Sequence, residues 1–216
     1  LTLSEAFGQR MVHPDLRGVT LRQLLDHEAG LSHTILPSNL STNDTVAQRQ
    51  QLAVEVLSKK PATSVGKHSY SNTGYMIAAA IMEKATGRSW ESLIRSRLFA
   101  PLGMQSAGFG PPGRSIMPPD SIHGHVNGQP VSPGPGADGP PVIGPAGTVH
   151  ASISDWGKYI ELHLDGAVGD TRLLGKEQFK VLHTPVPGAN YACGWGVDTH
   201  HNTLSHSGSN KLWYCD

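Results

Sequence analysis

Apolar residues recur at helical spacing through most of this chain and switch to strand spacing only near its end. Leu21, Leu24 and Leu25 form one face of a short helix over Thr20–Glu28. Thr20 is its N-cap, Gln23 completes a capping box, and Gly30 supplies a left-handed stop. A second helix is predicted from about Asp44 to Ser58, capped by Asn43 or Asp44 and ended by Pro61. The strongest pattern is Met76, Ile77, Ala80, Ile81 and Ala85, which predicts a helix from about Thr73 to Ala85 closed by Gly87. Ser89 caps another helix, with Trp90, Leu93, Ile94 and Leu98 facing inward and Pro101 as its stop. Ser154 then caps a helix carrying Trp156, Tyr159, Ile160 and Leu164 that ends at Gly166, and a shorter one over Lys176–His183 ends at Pro185.

The tail reads differently. Ala192–Asp198, Thr203–His206 and Leu212–Cys215 are predicted strands, with turns at His201-Asn202 and Gly208-Ser209-Asn210. Helices followed by a strand cluster predict an α+β fold in which helices pack on an antiparallel sheet, with a raw sheet edge at the last strand. From about 105 to 147 neither period holds. Pro111-Pro112, Pro118-Pro119, Pro133-Gly134-Pro135-Gly136 and Pro140-Pro141 exclude a continuous helix or central strand there. Helical patterning resumes on both sides, so this stretch reads as an excursion around a site within a single domain spanning 1–216.

Composition narrows the function. The 216 residues carry 17 lysines and arginines against 17 aspartates and glutamates, which removes the basic footprint that a nucleic-acid binder needs. No apolar run reaches the roughly 18 residues of a membrane-spanning helix. Two cysteines, Cys193 and Cys215, are too few for a disulfide framework; one bridge is possible, and two buried free thiols are the preferred reading. Twelve histidines are many, but they are scattered, and no His-Glu-x-x-His or Cys-x-x-Cys cluster points to a metal. His123 and His125, or His200 and His201, could ligate zinc only with partners from elsewhere, and neither a metal nor a cofactor is expected.

Three local features could carry chemistry: Tyr70-Ser71-Asn72 before the strongest helix, Ala146-Gly147 before the Ser154 helix, and His206-Ser207-Gly208. A tyrosine hydroxyl acts as a general base only where cations depress its pKa from about 10. An asparagine two residues on offers an amide to orient a substrate carbonyl. A strand ending His-Ser-Gly presents a donor, a hydroxyl and a glycine where a ligand can approach the backbone. Each has a bland alternative: Tyr70 as a core aromatic, Asn72 as a helix N-cap, His206 as a satisfied histidine.

Their order along the chain adds to this. Val19 to Leu31, with Leu24-Leu25-Asp26-His27-Glu28-Ala29-Gly30-Leu31, resembles the "T-x-x-x-L-L-x-H-x-S-G-L" helix and turn of the serine β-lactamase and penicillin-binding-protein superfamily. Tyr70-Ser71-Asn72 is similar to its Tyr-x-Asn element. Thr86-Gly87 and Leu98-Phe99-Ala100-Pro101-Leu102-Gly103-Met104 are similar to its "T-G … I-F-x-P-L-G-M" stretch. Pro145-Ala146-Gly147-Thr148 with Asp155 matches "P-A-G-G … D", and His206-Ser207-Gly208 falls where the family has Lys-Thr-Gly or His-x-Gly. The chain is identified as a member of the class C and esterase-like branch.

The resemblance implies an acyl-enzyme hydrolase for esters, D-peptides or β-lactams, with a small-molecule or peptide acyl substrate. It implies that Tyr70 shares general-base work and that Asn72 bonds the substrate amide. His206, Ser207 and Gly208 would recognise a carboxylate or assist proton movement, and the backbone N–H of Ser209 would form half of an oxyanion hole. A histidine at position 206 carries no permanent charge, which favours ester or D-peptide hydrolysis over β-lactam hydrolysis.

One element is missing. The family's Ser-x-x-Lys does not precede Val19, and the sole match, Ser64-Val65-Gly66-Lys67, falls in the turn leading to Tyr-x-Asn. The chain is therefore expected to begin downstream of the nucleophile, to stop short of the closing sheet, and to be inactive alone with an apolar face left open. The alternative is a catalytically dead binding or scaffolding module. The resemblance leaves localisation open between the periplasm and secretion.

Overall fold

The computed structural model describes residues 1–38, 43–112, 122–132, 134–169 and 173–216; Pro118-Pro119 and Pro133 lie outside them. Eight helices are described. α1 (Leu3–Phe7) and α2 (Leu21–Leu25) are short, α3 (Thr45–Leu57) and α4 (Asn72–Thr86) are long, and α5 (Trp90–Ile94) and α6 (Ala100–Leu102) are brief turns. α7 (Ile153–Val168) and α8 (Lys176–His183) follow the excursion. The strands pair antiparallel: β1 (Gly108–Phe109) with β4 (Val149–His150), and β2 (His125–Val126) with β3 (Gln129–Pro130). β5 (Tyr191–Ala192), β6 (Trp195–Asp198) and β7 (Thr203–Ser205) form a three-stranded sheet in that order, and β8 (Gly208–Ser209) pairs with β9 (Tyr214–Cys215).

The helix starts follow the sequence closely. Thr20 and Gln23 form the predicted capping box, and Asp44 caps α3 through the amides of Val46 and Ala47. Gly87 closes α4 in the left-handed region, at φ 66. The main core lies between α1, α2, α3 and α4, where Leu16, Leu24, Leu52, Met76, Ile77 and Ala80 are fully buried. α4 approaches α2 closely because position 74 is glycine: a Cβ there would stand 2.9 Å from the Leu24 carbonyl oxygen.

Several predicted boundaries are corrected. Pro101 does not stop its helix. A π turn at Arg95–Phe99 delivers it to the second position of α6, where a missing N–H is tolerated, and Gly103 ends the run at φ 63. Ser152, not Ser154, caps α7 by accepting from the Asp155 amide, and α7 runs on to Gly169. Gly166 sits inside it because the Phe179 ring of α8 occupies the space a Cβ would need, 2.4 Å away. The stretch Ala192–Asp198 is not one strand. Cys193 and Gly194, at φ 46 and 104, turn it into the β5–β6 hairpin. Gly208 and Ser209 belong to a strand, and the turn lies after them, where Asn210 Oδ1 accepts from the amides of Leu212 and Trp213. His206 leaves the ladder at the end of β7.

The pair of buried thiols is also corrected: both cysteines are free, but Cys215 is exposed on β9. Of the Ser89 helix, Trp90 is buried, while Leu93, Ile94 and Leu98 are half-buried and Phe99 takes the interior position.

A buried ion network ties the core to the excursion. Arg49 of α3 is fully buried and pairs with Glu83 of α4 and Glu91 of α5. Its remaining N–H groups donate to the carbonyls of Val142 (3.2 Å) and Pro141 (3.1 Å), in the helical turns over Pro141–Ala146. The excursion also docks on the tail. Trp213 Nε1 donates to the Ala137 carbonyl at 2.8 Å, Asn210 Nδ2 to Asp138 Oδ1 at 2.7 Å, and the His125 amide to the Leu212 carbonyl at 3.1 Å. It therefore lies against the segment that follows His206-Ser207-Gly208-Ser209.

Candidate active site

The N-terminus of α4 builds one wall. Ser71, not Asn72, is the N-cap: its hydroxyl accepts from the Gly74 amide and donates to the Ser32 carbonyl at 2.7 Å. Asn72 is thereby freed from capping and stands at the first helical position with its side chain engaged elsewhere. The Tyr70 hydroxyl donates to Asn72 Oδ1 at 3.0 Å, and Asn72 Nδ2 donates to Thr34 Oγ1 at 2.9 Å. The Asn72 amide also donates to the His33 carbonyl at 2.7 Å. The Tyr70 ring is 47% exposed, so the reading as a plain core aromatic does not hold.

Behind this wall lies His27, which sequence analysis gave no role of its own. It is 2% exposed and adopts φ 61. Its Nδ1 accepts the Ser71 amide at 3.1 Å, so in the neutral ring the proton sits on Nε2, which is buried without a partner among the described residues. Its ring meets those of Tyr70 (4.5 Å), Tyr191 (5.0 Å) and Tyr75 (5.3 Å). Burial, reinforced by the neighbouring His68, pushes the His27 pKa down to about 4. His27 is therefore neutral at pH 7.

Burial also raises the Tyr70 pKa above its ordinary value, with no cation among its causes. Within the described residues Tyr70 is a neutral phenol that donates to Asn72. General-base work by Tyr70 needs a cation that these residues do not supply.

The β5–β6 hairpin builds the second wall. Asp26, at the end of α2 and 1% exposed, accepts the Cys193 amide on Oδ1 at 2.7 Å and pairs with Arg22 on Oδ2. Arg22 in turn donates to the carbonyls of Val181 (2.6 Å) and Thr184 (2.7 Å) at the end of α8. Burial, with the Asp26 carboxylate beside it, pushes the Cys193 thiol up to about 12. The Gly194 carbonyl accepts from His206 Nδ1. A carbonyl only accepts, so neutral His206 carries its proton on Nδ1 and leaves Nε2 bare, the opposite tautomer to His27. His206 also lies close enough to His27 that its charge opposes protonation of the latter. Ser207, Gly208 and Ser209 are exposed, the last two on β8.

The sequence-predicted residues thus fall on two walls. Tyr70 and Asn72 are bonded to each other on one, His206 is fixed on the other, and Ser207, Gly208 and Ser209 continue outward from it. Ser64 and Lys67 are placed in an exposed turn, where the Lys67 amide bonds the Ser64 carbonyl at 3.2 Å, and not on a helix. Two clefts, of about 310 Å³ beside Lys158 and 480 Å³ beside Ser64, lie away from the paired walls. Among the described residues no three His, Cys, Asp or Glu side chains converge as a metal site, and no helix is long and apolar enough to cross a membrane.

Helices packed with small antiparallel sheets, a Tyr-x-Asn element opening a buried helix, and a His-x-Gly segment between two strands define the β-lactamase/transpeptidase-like class of serine hydrolase folds. The chain belongs to the beta-lactamase family, whose model matches residues 10–215. It is 30% identical over 195 residues to penicillin-binding protein 4 of Amycolatopsis lactamdurans, covering 83% of this chain and 49% of that protein. It is 24% identical over 187 residues to the putative penicillin-binding protein PbpX of Bacillus subtilis, covering 85% of this chain and 44% of that protein. The chain thus spans about half the length of these relatives. In fold it is similar to a D-stereospecific amidohydrolase from Streptomyces sp., with a TM-score of 0.68 and 24% identity over 95% of this chain and 66% of that one. It is likewise similar to the D-amino acid amidase of Ochrobactrum anthropi SV3, crystallised with L-phenylalanine amide, with a TM-score of 0.63 and 22% identity over 96% of this chain and 61% of that one.

Proposed function

We propose that this chain is the substrate-recognition part of a serine hydrolase that opens an ester or the amide of a D-amino acid or D-peptide through an acyl-enzyme. The observation that carries the reading is the Tyr70–Asn72 hydrogen bond at 3.0 Å on the N-terminus of α4, packed on the His27 ring, with His206 near enough to His27 for its charge to act there. Asn72 has one amide N–H not taken by Thr34, and this N–H donates to the substrate carbonyl. Bare Nε2 of neutral His206 accepts from a substrate N–H or takes up a proton. Ser207 and Gly208 recognise the polar end of the substrate, and the Ser209 N–H supplies half of an oxyanion hole. The relatives named as D-stereospecific amidohydrolase and D-amino acid amidase support a D-configured substrate.

Ser64 lies in an exposed turn and not at the start of a helix, so it does not serve as the nucleophile, and general-base work by Tyr70 calls for a cation such as the lysine of a Ser-x-x-Lys pair. The chain alone is therefore inactive. Incubation with a fluorophosphonate, penicillin, nitrocefin, a p-nitrophenyl ester and D-phenylalaninamide tests this. No serine adduct and no turnover are expected, but D-phenylalaninamide binds more tightly than its L-enantiomer and binding weakens in Asn72→Ala. Turnover by the chain alone that is lost in Tyr70→Phe would refute the missing nucleophile. Enantiomer-blind binding that Asn72→Ala leaves unchanged would refute the recognition role.

A further inference from the structure

We propose that Asp26 is a positioning residue that sets the His206 wall against the Tyr70 wall. The proposal rests on the reading of those two walls as one substrate site. It starts from adjacent residues at the end of α2 that face different elements. Through its backbone turn and ring, His27 serves the first wall: its Nδ1 accepts the Ser71 amide at 3.1 Å, its carbonyl accepts the Ser69 amide at 2.7 Å, and its ring lies 4.5 Å from Tyr70. Through its carboxylate, Asp26 serves the second, accepting the Cys193 amide at 2.7 Å.

Cys193 is the first residue of a two-residue turn, and the next residue, Gly194, offers the carbonyl to which His206 Nδ1 is bonded. Three links therefore run in series from α2 to His206: the carboxylate to the Cys193 amide, Cys193 to Gly194 through the peptide bond, and the Gly194 carbonyl to the imidazole.

The Asp26 carboxylate is a built-in anchor rather than a surface group. It is 1% exposed, and its second oxygen is paired with Arg22, whose other N–H groups are spent on the carbonyls of Val181 and Thr184. Neither oxygen can swing away without stranding a donor. The turn it holds is confined from the other side as well: the Tyr75 hydroxyl, donating to the Leu25 carbonyl at 2.9 Å, stands 3.5 Å from where a Cβ on Gly194 would lie. The turn thus has one seat, and the tautomer of His206 follows from it. A seated turn presents the Gly194 carbonyl to Nδ1, keeps the proton there and leaves Nε2 bare toward substrate. A released turn frees the ring to take the Nε2–H form that an unrestrained imidazole prefers.

The test uses this chain, isotope-labelled, with Asp26→Ala and, should that variant fail to fold, Asp26→Leu, which fills the site and offers neither Cys193 nor Arg22 an acceptor. At a pH where His206 is neutral, its ring nitrogen shifts report the tautomer, and amide exchange reports the Cys193 bond. The expected result is exchange of the Cys193 amide faster by about tenfold or more, as loss of a charge-assisted hydrogen bond implies. His206 moves from the Nδ1–H to the Nε2–H form, while the Ser71 and Ser69 amides bonded to His27 keep their protection. His206 holding its Nδ1–H tautomer in the variant would overturn the proposal, as would equal loss of protection at Ser69 and Ser71, which marks general loosening. Neither result bears on D-phenylalaninamide binding by the unaltered chain, so the two readings fail separately.

Discussion

Replacement of Arg49 by methionine keeps the volume of the side-chain stem and removes the charge at the centre of the buried network. Arg49 is 0% exposed and pairs with Glu83, itself 0% exposed in the side chain, and with Glu91, 24% exposed. It also satisfies the carbonyls of Val142 and Pro141. Glu83 Oε2 has no partner among the described residues even with Arg49 present, and burial already raises the pKa of Glu83. Without the guanidinium a carboxylate is left in the core, which costs about 3–5 kcal/mol. At a urea slope of about 1–3 kcal/mol per molar, the midpoint falls by roughly 2 M. Urea unfolding followed by tryptophan fluorescence and far-UV circular dichroism measures it.

Arg49→Met combined with Glu83→Gln restores about half of the loss. The glutamine oxygen still accepts the Trp90 amide that Glu83 now holds at 2.9 Å, and Glu91 can be hydrated. The sign of the pH effect is set as well. A carboxyl group whose folded pKa is raised stabilises the fold below its unfolded value, and that contribution is lost as pH rises through the folded pKa. Arg49→Met is therefore less damaging at pH 5 than at pH 8. A midpoint shift below about 0.5 M, or a double variant no more stable than the single one, would show that the network does not hold the excursion to the core.

Acid weakens the fold through buried histidines. His27 and His163 are both pushed down to about 4 by burial, so the unfolded chain takes up protons near pH 6.5 that the folded chain refuses. Stability is full above about pH 6.5 and falls toward pH 4 by at most about 1.4 kcal/mol per pH unit for each group. Urea midpoints between pH 7.5 and 5 that do not move would contradict this, and His163→Phe should flatten the slope. Gly166→Ala drives a methyl group into the Phe179 ring and lowers stability by about 1–3 kcal/mol in thermal melts, whereas a rise in Tm would mean that α7 and α8 can part freely. Asp155→Ala removes the acceptor of the Ser106 amide, held at 2.7 Å, and the ion pair to Lys158 at 2.6 Å; a lower Tm is expected, and an unchanged melt would count against it.

The helical half of the fold was legible because its signals are local. Thr20 with Gln23, Asp44, Ser89 and Gly87 each act within one turn of their own helix, and the structure uses all four as read. What escaped were decisions taken by distant partners. Gly166 looked like a stop, yet it is a clearance for Phe179. Pro101 looked like a breaker, yet the π turn before it changes which amide is missing. Ala192–Asp198 had strand composition throughout, and only the positive φ at Cys193 and Gly194 shows that it doubles back.

At the site, Tyr70, Asn72 and His206 stand out by chemistry and order. His27 sat in the segment whose resemblance was noted, so a signal for it existed. For Asp26 the sequence offers only the i,i+4 pair with Arg22; its bond to the Cys193 turn carries no signature, because that partner lies far along the chain and is a backbone amide.

The contrast between the two cysteines has a practical consequence. Cys193 is half-buried beside the Asp26 carboxylate with its thiol pushed up to about 12, so it offers almost no thiolate to a maleimide at neutral pH. Cys215 is exposed and lies opposite Gly208 in the β8–β9 register. The sequence therefore accepts a single fluorophore at one defined place, across the ladder from Gly208. If the proposed recognition role of β8 holds, its occupancy becomes an optical signal without any engineered residue.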